Sequence, residues 1–104
     1  MLTQVLDVPG SYQELPATCM LGYSLARGLR RGWLGPSYKA PLDRAWRGVS
    51  RRVDNEGNVV DGCASTGVQA TLKEYLDRPA VFGFDDRTGG MALWFALEMH
   101  RHQG

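Results

Sequence analysis

Few residues in this chain have the type and spacing to do chemistry. Asp85 and Asp86 are the only adjacent acids. Acid–base cleavage by a carboxyl pair needs the two groups about 5 to 9.5 Å apart, with one pKa tuned away from the other. Neighbours along a chain point apart, and Arg87 would hold at least one of the two ionised. A capping or loop role is therefore preferred for this pair, and no catalytic residue is assigned. His100 and His102 sit two apart on a charged helix end, so they fall on different faces and do not make a zinc pair. Cys19 and Cys63 have no metal-type spacing and are too few for a disulfide scaffold.

Two further sets invite a binding reading. Trp33, Trp46 and Trp94 could stack on flat ligands, but Trp46 lies in an apolar helical stripe and Trp94 in an apolar run, which favours core packing. Arg44, Arg47 and Arg51 fall near one helix face and could contact phosphates. No base-stacking aromatics are interleaved with them, so a solvated outer face is the simpler account.

The elements that must position these residues follow from periodicity and punctuation. Residues 1–16 are irregular, with turn chemistry at Val8-Pro9-Gly10-Ser11 and a stop at Pro16. A helix is expected from about Ala17 to Arg31, with Gly32 ending it, Trp33 and Leu34 folding back as an apolar cap contact, and Pro36 barring continuation. It carries no charge between Ala17 and Ala26, so burial on nearly every side is expected. A second helix, about Tyr38 to Asp54, is one-sided: Leu42, Ala45, Trp46, Val49 and Val53 recur at helical spacing. Asp54 to Asn58 is a turn, Val59-Val60 a possible short strand, Thr71 to Asp77 a short helix, and Val81, Phe82 and Phe84 an apolar foot under a loop. The last helix is expected from about Gly90 to His102, apolar all round from Met91 to Leu97.

At 104 residues the chain is one partial domain, and its near balance of 12 basic and 11 acidic side chains supplies no field to draw it to nucleic acid or an anionic membrane. There is no signal peptide or spanning segment, and the cysteines read as reduced structural thiols, so a cytoplasmic location is expected. Two of three main helices ask for neighbours on all sides, more than 104 residues can supply. Those neighbours are expected from self-association or from protein outside this segment.

The order and spacing of several short motifs then resemble a known group. Gln4-Val5-Leu6-Asp7, Ser11-Tyr12, Ala17-Thr18-Cys19-Met20 and Tyr23-Ser24-Leu25-Ala26-Arg27-Gly28 resemble the unsaturated glycuronyl hydrolases, glycoside hydrolase families 88 and 105. So do Arg30-Arg31-Gly32-Trp33-Leu34, Ala45-Trp46-Arg47-Gly48, Ser65-Thr66-Gly67, Tyr75-Leu76-Asp77-Arg78-Pro79, and Asp86-Arg87 leading to Gly90-Met91-Ala92-Leu93. Two departures are Thr3 before Gln4, where an aromatic is frequent, and Pro16 and Ala17 before Thr18, where many members read Ser-Gly.

The resemblance implies a mostly helical fold, an all-α arc of a six-hairpin (α/α)6 barrel. It also implies a glycosidase that removes an unsaturated uronic acid from lyase-generated oligosaccharides. That chemistry hydrates a sugar double bond through an aspartate and uses no metal or other cofactor. The catalytic aspartate belongs to earlier hairpins with no counterpart here, so the segment is expected to be inactive alone. In such barrels the loops entering the inner helices lie at the substrate end, which makes Gln4, Thr18, Thr66, Asp86 and Arg87 the candidate sugar contacts. Caps and loop hydrogen bonds are the competing account of the same residues. The alternative functions are a small self-associating binding or assembly protein derived from such an enzyme, or the second half of a split enzyme.

Overall fold

Proline costs little in the first turn of a helix, where its missing N–H would have no partner anyway. That is where Pro16 sits, so the first helix, α1, starts at Leu15 and runs to Arg30 rather than beginning after the proline. The computed structural model describes residues 1–63 and 67–103. Its further elements are a 3-10 turn at Pro36–Tyr38, α2 at Lys39–Ser50, β1 at Val59–Cys63, α3 at Leu72–Leu76, β2 at Ala80–Gly83 and α4 at Asp86–Gln103. No helix among the described residues is long and apolar enough to cross a membrane.

The exit from α1 has a clear cause. Gly32 takes φ +75°, and the Gly32 and Trp33 N–H groups donate back to Leu29 and Gly28 at 3.2 and 2.8 Å. Leu34 closes the cap by packing on Gly28, while Trp33 stays 69% exposed, so only one of the two expected cap contacts forms. Helix α2 buries Leu42, Ala45 and Val49, as its stripe requires. It stops at Ser50, short of the expected Asp54, because the chain turns to let Val53 bridge Val59. The following turn is tied by Asp54, whose carboxylate accepts from the Glu56 and Asn58 N–H groups, each at 2.9 Å.

An all-α fold is corrected by a hairpin. β1 and β2 pair antiparallel, with Gly62 opposite Val81 and Cys63 opposite Ala80. Val81 and Phe82, expected with Phe84 as a foot under a loop, lie in β2 instead, because their partner strand is supplied from about twenty residues earlier and leaves no local periodic signal. The last helix also starts four residues before the expected Gly90, at Asp86.

Helices α1 and α4 run side by side in the same direction. The Phe95 ring lies against Gly22, and further along both helices Arg30 Nε and Nη2 donate to the Glu98 carboxylate at 3.2 and 3.3 Å. Trp46 of α2 meets Phe95 edge-on, with centroids 5.2 Å apart, and Gly48 packs on Met1 beside the start of α1. Helix α2 is thus antiparallel to α1. Leu15, Cys19, Leu25, Ala26, Leu42 and Phe95 fill the core between the helices. Burial on every side of α1 and α4 is not reached within these residues. Met20, Leu21, Leu93, Trp94 and Leu97 are 41–61% exposed, so this flank is apolar and open to solvent.

Glu98 is buried to 1% exposure and binds Arg30, Arg27 at 3.5 Å and Arg101 at 3.3 Å. Burial pushes its carboxyl pKa up, but the hydrogen bonds and charges of Arg30 and Arg101 outweigh this and bring it below its ordinary 4.5. A depressed carboxyl contributes stability that is full above the unfolded pKa and lost as pH falls through the folded one.

Three outcomes are expected. Glu98→Gln should destabilise by roughly 3 kcal/mol, since it leaves guanidinium groups without their charge partner; urea midpoints measured at falling pH should converge with wild type in the acid range. Gly22→Ala should lower the unfolding free energy by about 1–3 kcal/mol through collision with Phe95, read from urea denaturation. Gly89→Ala, with open space around its Cα, should raise stability by about 0.5–1 kcal/mol.

Candidate functional site

Because α1 and α4 are parallel, their N-termini and the loops that enter them share one end of the molecule. Residues 1–14 fold back across this end. Gln4 N–H donates to Tyr12 C=O at 2.7 Å, Glu14 N–H to Leu2 C=O at 2.8 Å, and Thr3 bridges Gln13. Ser11 Oγ fastens the tip by accepting from Val5 N–H at 3.1 Å and donating to Val8 C=O at 2.9 Å.

Gln4 projects from this loop into a hollow of about 590 Å³ lined by Leu6, Gln69, Thr71, Leu72 and Tyr75. Its Nε2 donates to the Tyr75 carbonyl at 2.9 Å. Its Oε1 is buried and has no hydrogen-bond partner among the described residues. The hollow's far wall is held by α3, where Thr71 Oγ1 caps Glu74 N–H at 3.2 Å.

Thr18 is 1% exposed. Its hydroxyl accepts from Leu2 N–H at 3.0 Å and donates to Glu14 C=O at 2.8 Å, so it anchors the entering segment on α1, and a sugar would reach it only by displacing those bonds. Asp86 and Arg87 occupy the first turn of α4 and are exposed. Between the two adjacent acids, Asp85 takes the capping role. Its carboxylate accepts from Thr88 Oγ1 at 2.5 Å, and Arg87 Nε lies 3.7 Å away. The Thr88 hydrogen bond is the main influence holding the Asp85 carboxyl below the ordinary carboxylate range, with the Arg87 charge adding to it. Thr66 lies outside the described residues.

The sequence-selected residues thus form two groups at one end, Gln4 with Thr18 on the α1 side and Asp86 with Arg87 on the α4 side. Two groups between the loops went unselected. Tyr12 lies beside Cys63, Glu14 and Tyr75, and burial, followed by the charges of Cys63 and Glu14, raises its phenol pKa so that it stays a hydrogen-bond donor. Glu14 stands immediately before α1, where burial raises its carboxyl above the ordinary 4.5 and the nearby Ala17 N–H only partly offsets this. An acid directly ahead of Leu15-Pro16 is the signal that would have found it, had the proline been read as a first-turn residue.

Among the described residues no three His, Cys, Asp or Glu side chains gather as metal ligands. Both cysteines are free, and burial pushes the Cys19 thiol up to about 12. The arrangement can offer hydrogen bonds and a guanidinium to a polyhydroxylated, anionic ligand.

A raised carboxyl gives the opposite pH dependence from Glu98. The folded state holds the Glu14 proton more tightly, so stability falls as pH rises from the unfolded pKa through the folded one. Glu14→Gln should therefore leave stability unchanged in acid and increase it at neutral pH, read as the difference in thermal midpoint between the two conditions.

A family model described as Glycosyl Hydrolase Family 88 matches residues 1–103. Among solved structures the chain is similar to a possible member of the GH105 family from Salmonella enterica subsp. enterica serovar Paratyphi A, with TM-score 0.91 and 24% identity over 100% of this chain and 27% of that one. It is also similar to a possible member of the GH105 family from Klebsiella pneumoniae subsp. pneumoniae, with TM-score 0.79 and 22% identity over 99% of this chain and 26% of that one. The chain therefore spans about a quarter of the length of these proteins. No curated protein matches it.

Proposed function

The chain belongs to Glycosyl Hydrolase Family 88, and from that premise we propose that it forms one arc of an (α/α)6 barrel and one wall of the substrate end. The substrate class is an oligosaccharide ending in an unsaturated uronic acid. The catalytic aspartate comes from protein outside these 104 residues, so the segment is inactive by itself and works when completed by the remaining hairpins. Positioning and a proton donor both contribute to such catalysis, and the donor is what this segment does not contribute.

One observation carries the reading. Helices α1 and α4 are parallel and backed by α2, so they gather Gln4, Asp86 and Arg87 at a common end while an apolar flank stays open, which supports reading them as inner helices. Arg87 suits a sugar carboxylate, and the Gln4 side chain, which lines the hollow beside α3, suits a sugar hydroxyl.

The test is loss of double-bond absorbance with unsaturated uronyl disaccharides. No turnover is expected from the chain alone. Turnover is expected when it is mixed with a family enzyme from which the matching segment has been removed. In that mixture Gln4→Ala and Arg87→Ala should each lower kcat/KM by about tenfold, or about 1.4 kcal/mol. Turnover by the isolated chain would refute the division of labour, and a formed but unresponsive complex would refute the substrate class.

A further inference from the structure

Helix α2 and its exit carry two kinds of arginine. Arg52 is fully engaged: its guanidinium donates to the Asp61 carboxylate at 3.2 Å, the Gly48 carbonyl at 2.8 Å and the Gln13 side chain at 2.6 Å. Arg44, Arg47 and Arg51 are exposed, and their guanidinium groups make no ion pair or hydrogen bond among the described residues. Arg51 is the capping residue of α2 and keeps a right-handed helical backbone, φ −78° and ψ −11°, so the helical turn carries through to it. At 3.6 residues per turn the three fall within an arc of about 60°, in steps of about 4.5 and 6 Å along the axis. Leu42, Ala45 and Val49 occupy the opposite side of α2 and pack into the core. The stripe is therefore directed away from α1 and α4 alike. With α2 on the outside of a barrel, this is the side that a complete ring of hairpins leaves in water.

We infer that the Arg44, Arg47 and Arg51 stripe is a docking surface for an extended, carboxylate-bearing polysaccharide. The choice of a uronic-acid polymer rests on the proposed substrate class; the charge, exposure and direction of the stripe do not. A guanidinium meets a carboxylate through two parallel hydrogen bonds. A polyuronate repeats one carboxylate per sugar, so successive arginines can engage successive sugars of a single chain.

The surroundings favour this partner over other polyanions. The chain carries a net charge of only +1, so without these three cations it would be net negative, and the attraction is local to the stripe. Exposed charges that serve solubility alone are usually of mixed sign, as Lys73 and Asp77 are on α3, where they pair at 3.3 Å. Asp43 is the single acid of α2, and it makes no ion pair among the described residues. The exposed neighbours Ala40, Asp43 and Ser50 include no large apolar side chain to enter a lipid surface. They also include no aromatic ring on which a base could stack.

Fluorescence anisotropy of labelled polygalacturonate, titrated with the 104-residue chain at low ionic strength, tests this without any turnover step. Wild type should bind, should release as salt is raised, and should ignore the fully methyl-esterified polymer, which keeps the sugars and loses the charge. Arg44→Gln, Arg47→Gln and Arg51→Gln should each weaken binding by about two- to fivefold. Ala40→Arg, one turn earlier on the same exposed side, should tighten it by a similar factor. Helical circular dichroism should be unchanged throughout. No binding by wild type, or equal affinity for wild type and the triple Arg→Gln chain, would overturn the docking surface. Tighter binding to duplex DNA or to anionic lipid vesicles at matched charge would overturn the choice of partner. Polymer binding that survives a failed complementation assay would sink the enzyme reading and leave the docking surface standing.

Discussion

The contact between the Phe95 ring and the bare backbone of Gly22 fixes the relation between α1 and α4. A side chain at position 22 would hold the helices apart, and a smaller residue at 95 would leave a void beneath Trp46. With ring and glycine matched, the two helices lie close and share a direction. The consequences run outward from there. Both N-termini emerge at one end, the loops that enter them become neighbours, and the arginines near the end of α1 come within reach of Glu98. Helix α2, edge-on to the same ring, closes the opposite side.

The two ends of this helix pair handle polar groups differently. At the C-terminal end one buried carboxylate is surrounded by guanidinium groups, a fully engaged cluster that resists change. At the N-terminal end Glu14 holds a carboxyl with a raised pKa and Gln4 an amide oxygen that has no hydrogen-bond partner among the described residues. Structural polar clusters tend toward complete pairing, whereas ligand sites keep capacity in reserve. The contrast agrees with placing a binding surface at the entering loops and a scaffold role at the other end.

Much of this was legible in the chain itself. Apolar runs marked α1 and α4, the Leu42-to-Val53 stripe gave the inner face of α2, and Gly32 and Asp54-Asn55-Glu56-Gly57 marked the turns. The family resemblance, carried by ordered short motifs, agrees with the family match. What stayed hidden has identifiable causes. β2 needs a partner distant in sequence, so Val81 and Phe82 gave no local sign of pairing. The early starts of α1 and α4 depend on a first-turn proline and on an aspartate cap, both of which also occur in loops. Glu98 looked like the beginning of a solvated helix end, because the three arginines that justify its burial come partly from a helix about seventy residues away. Thr18 was visible as a polar residue at a helix start, but its engagement with Leu2 and Glu14 depends on how residues 1–14 fold back.

The irregularity in β1 has a consequence for how the hairpin behaves among other chains. Asp61, at φ +64°, adds an extra residue between Val59 and Gly62 and bends the strand. On its outer side, Val60 N–H already donates to the Arg52 carbonyl at 3.1 Å, and the Arg52 guanidinium covers Asp61. A kinked edge with its amide spoken for and a charged pair laid over it is a poor template for cross-β growth. The β1 edge is thereby disfavoured as a docking strand, even though Val60 and Phe82 leave apolar surface on the small sheet.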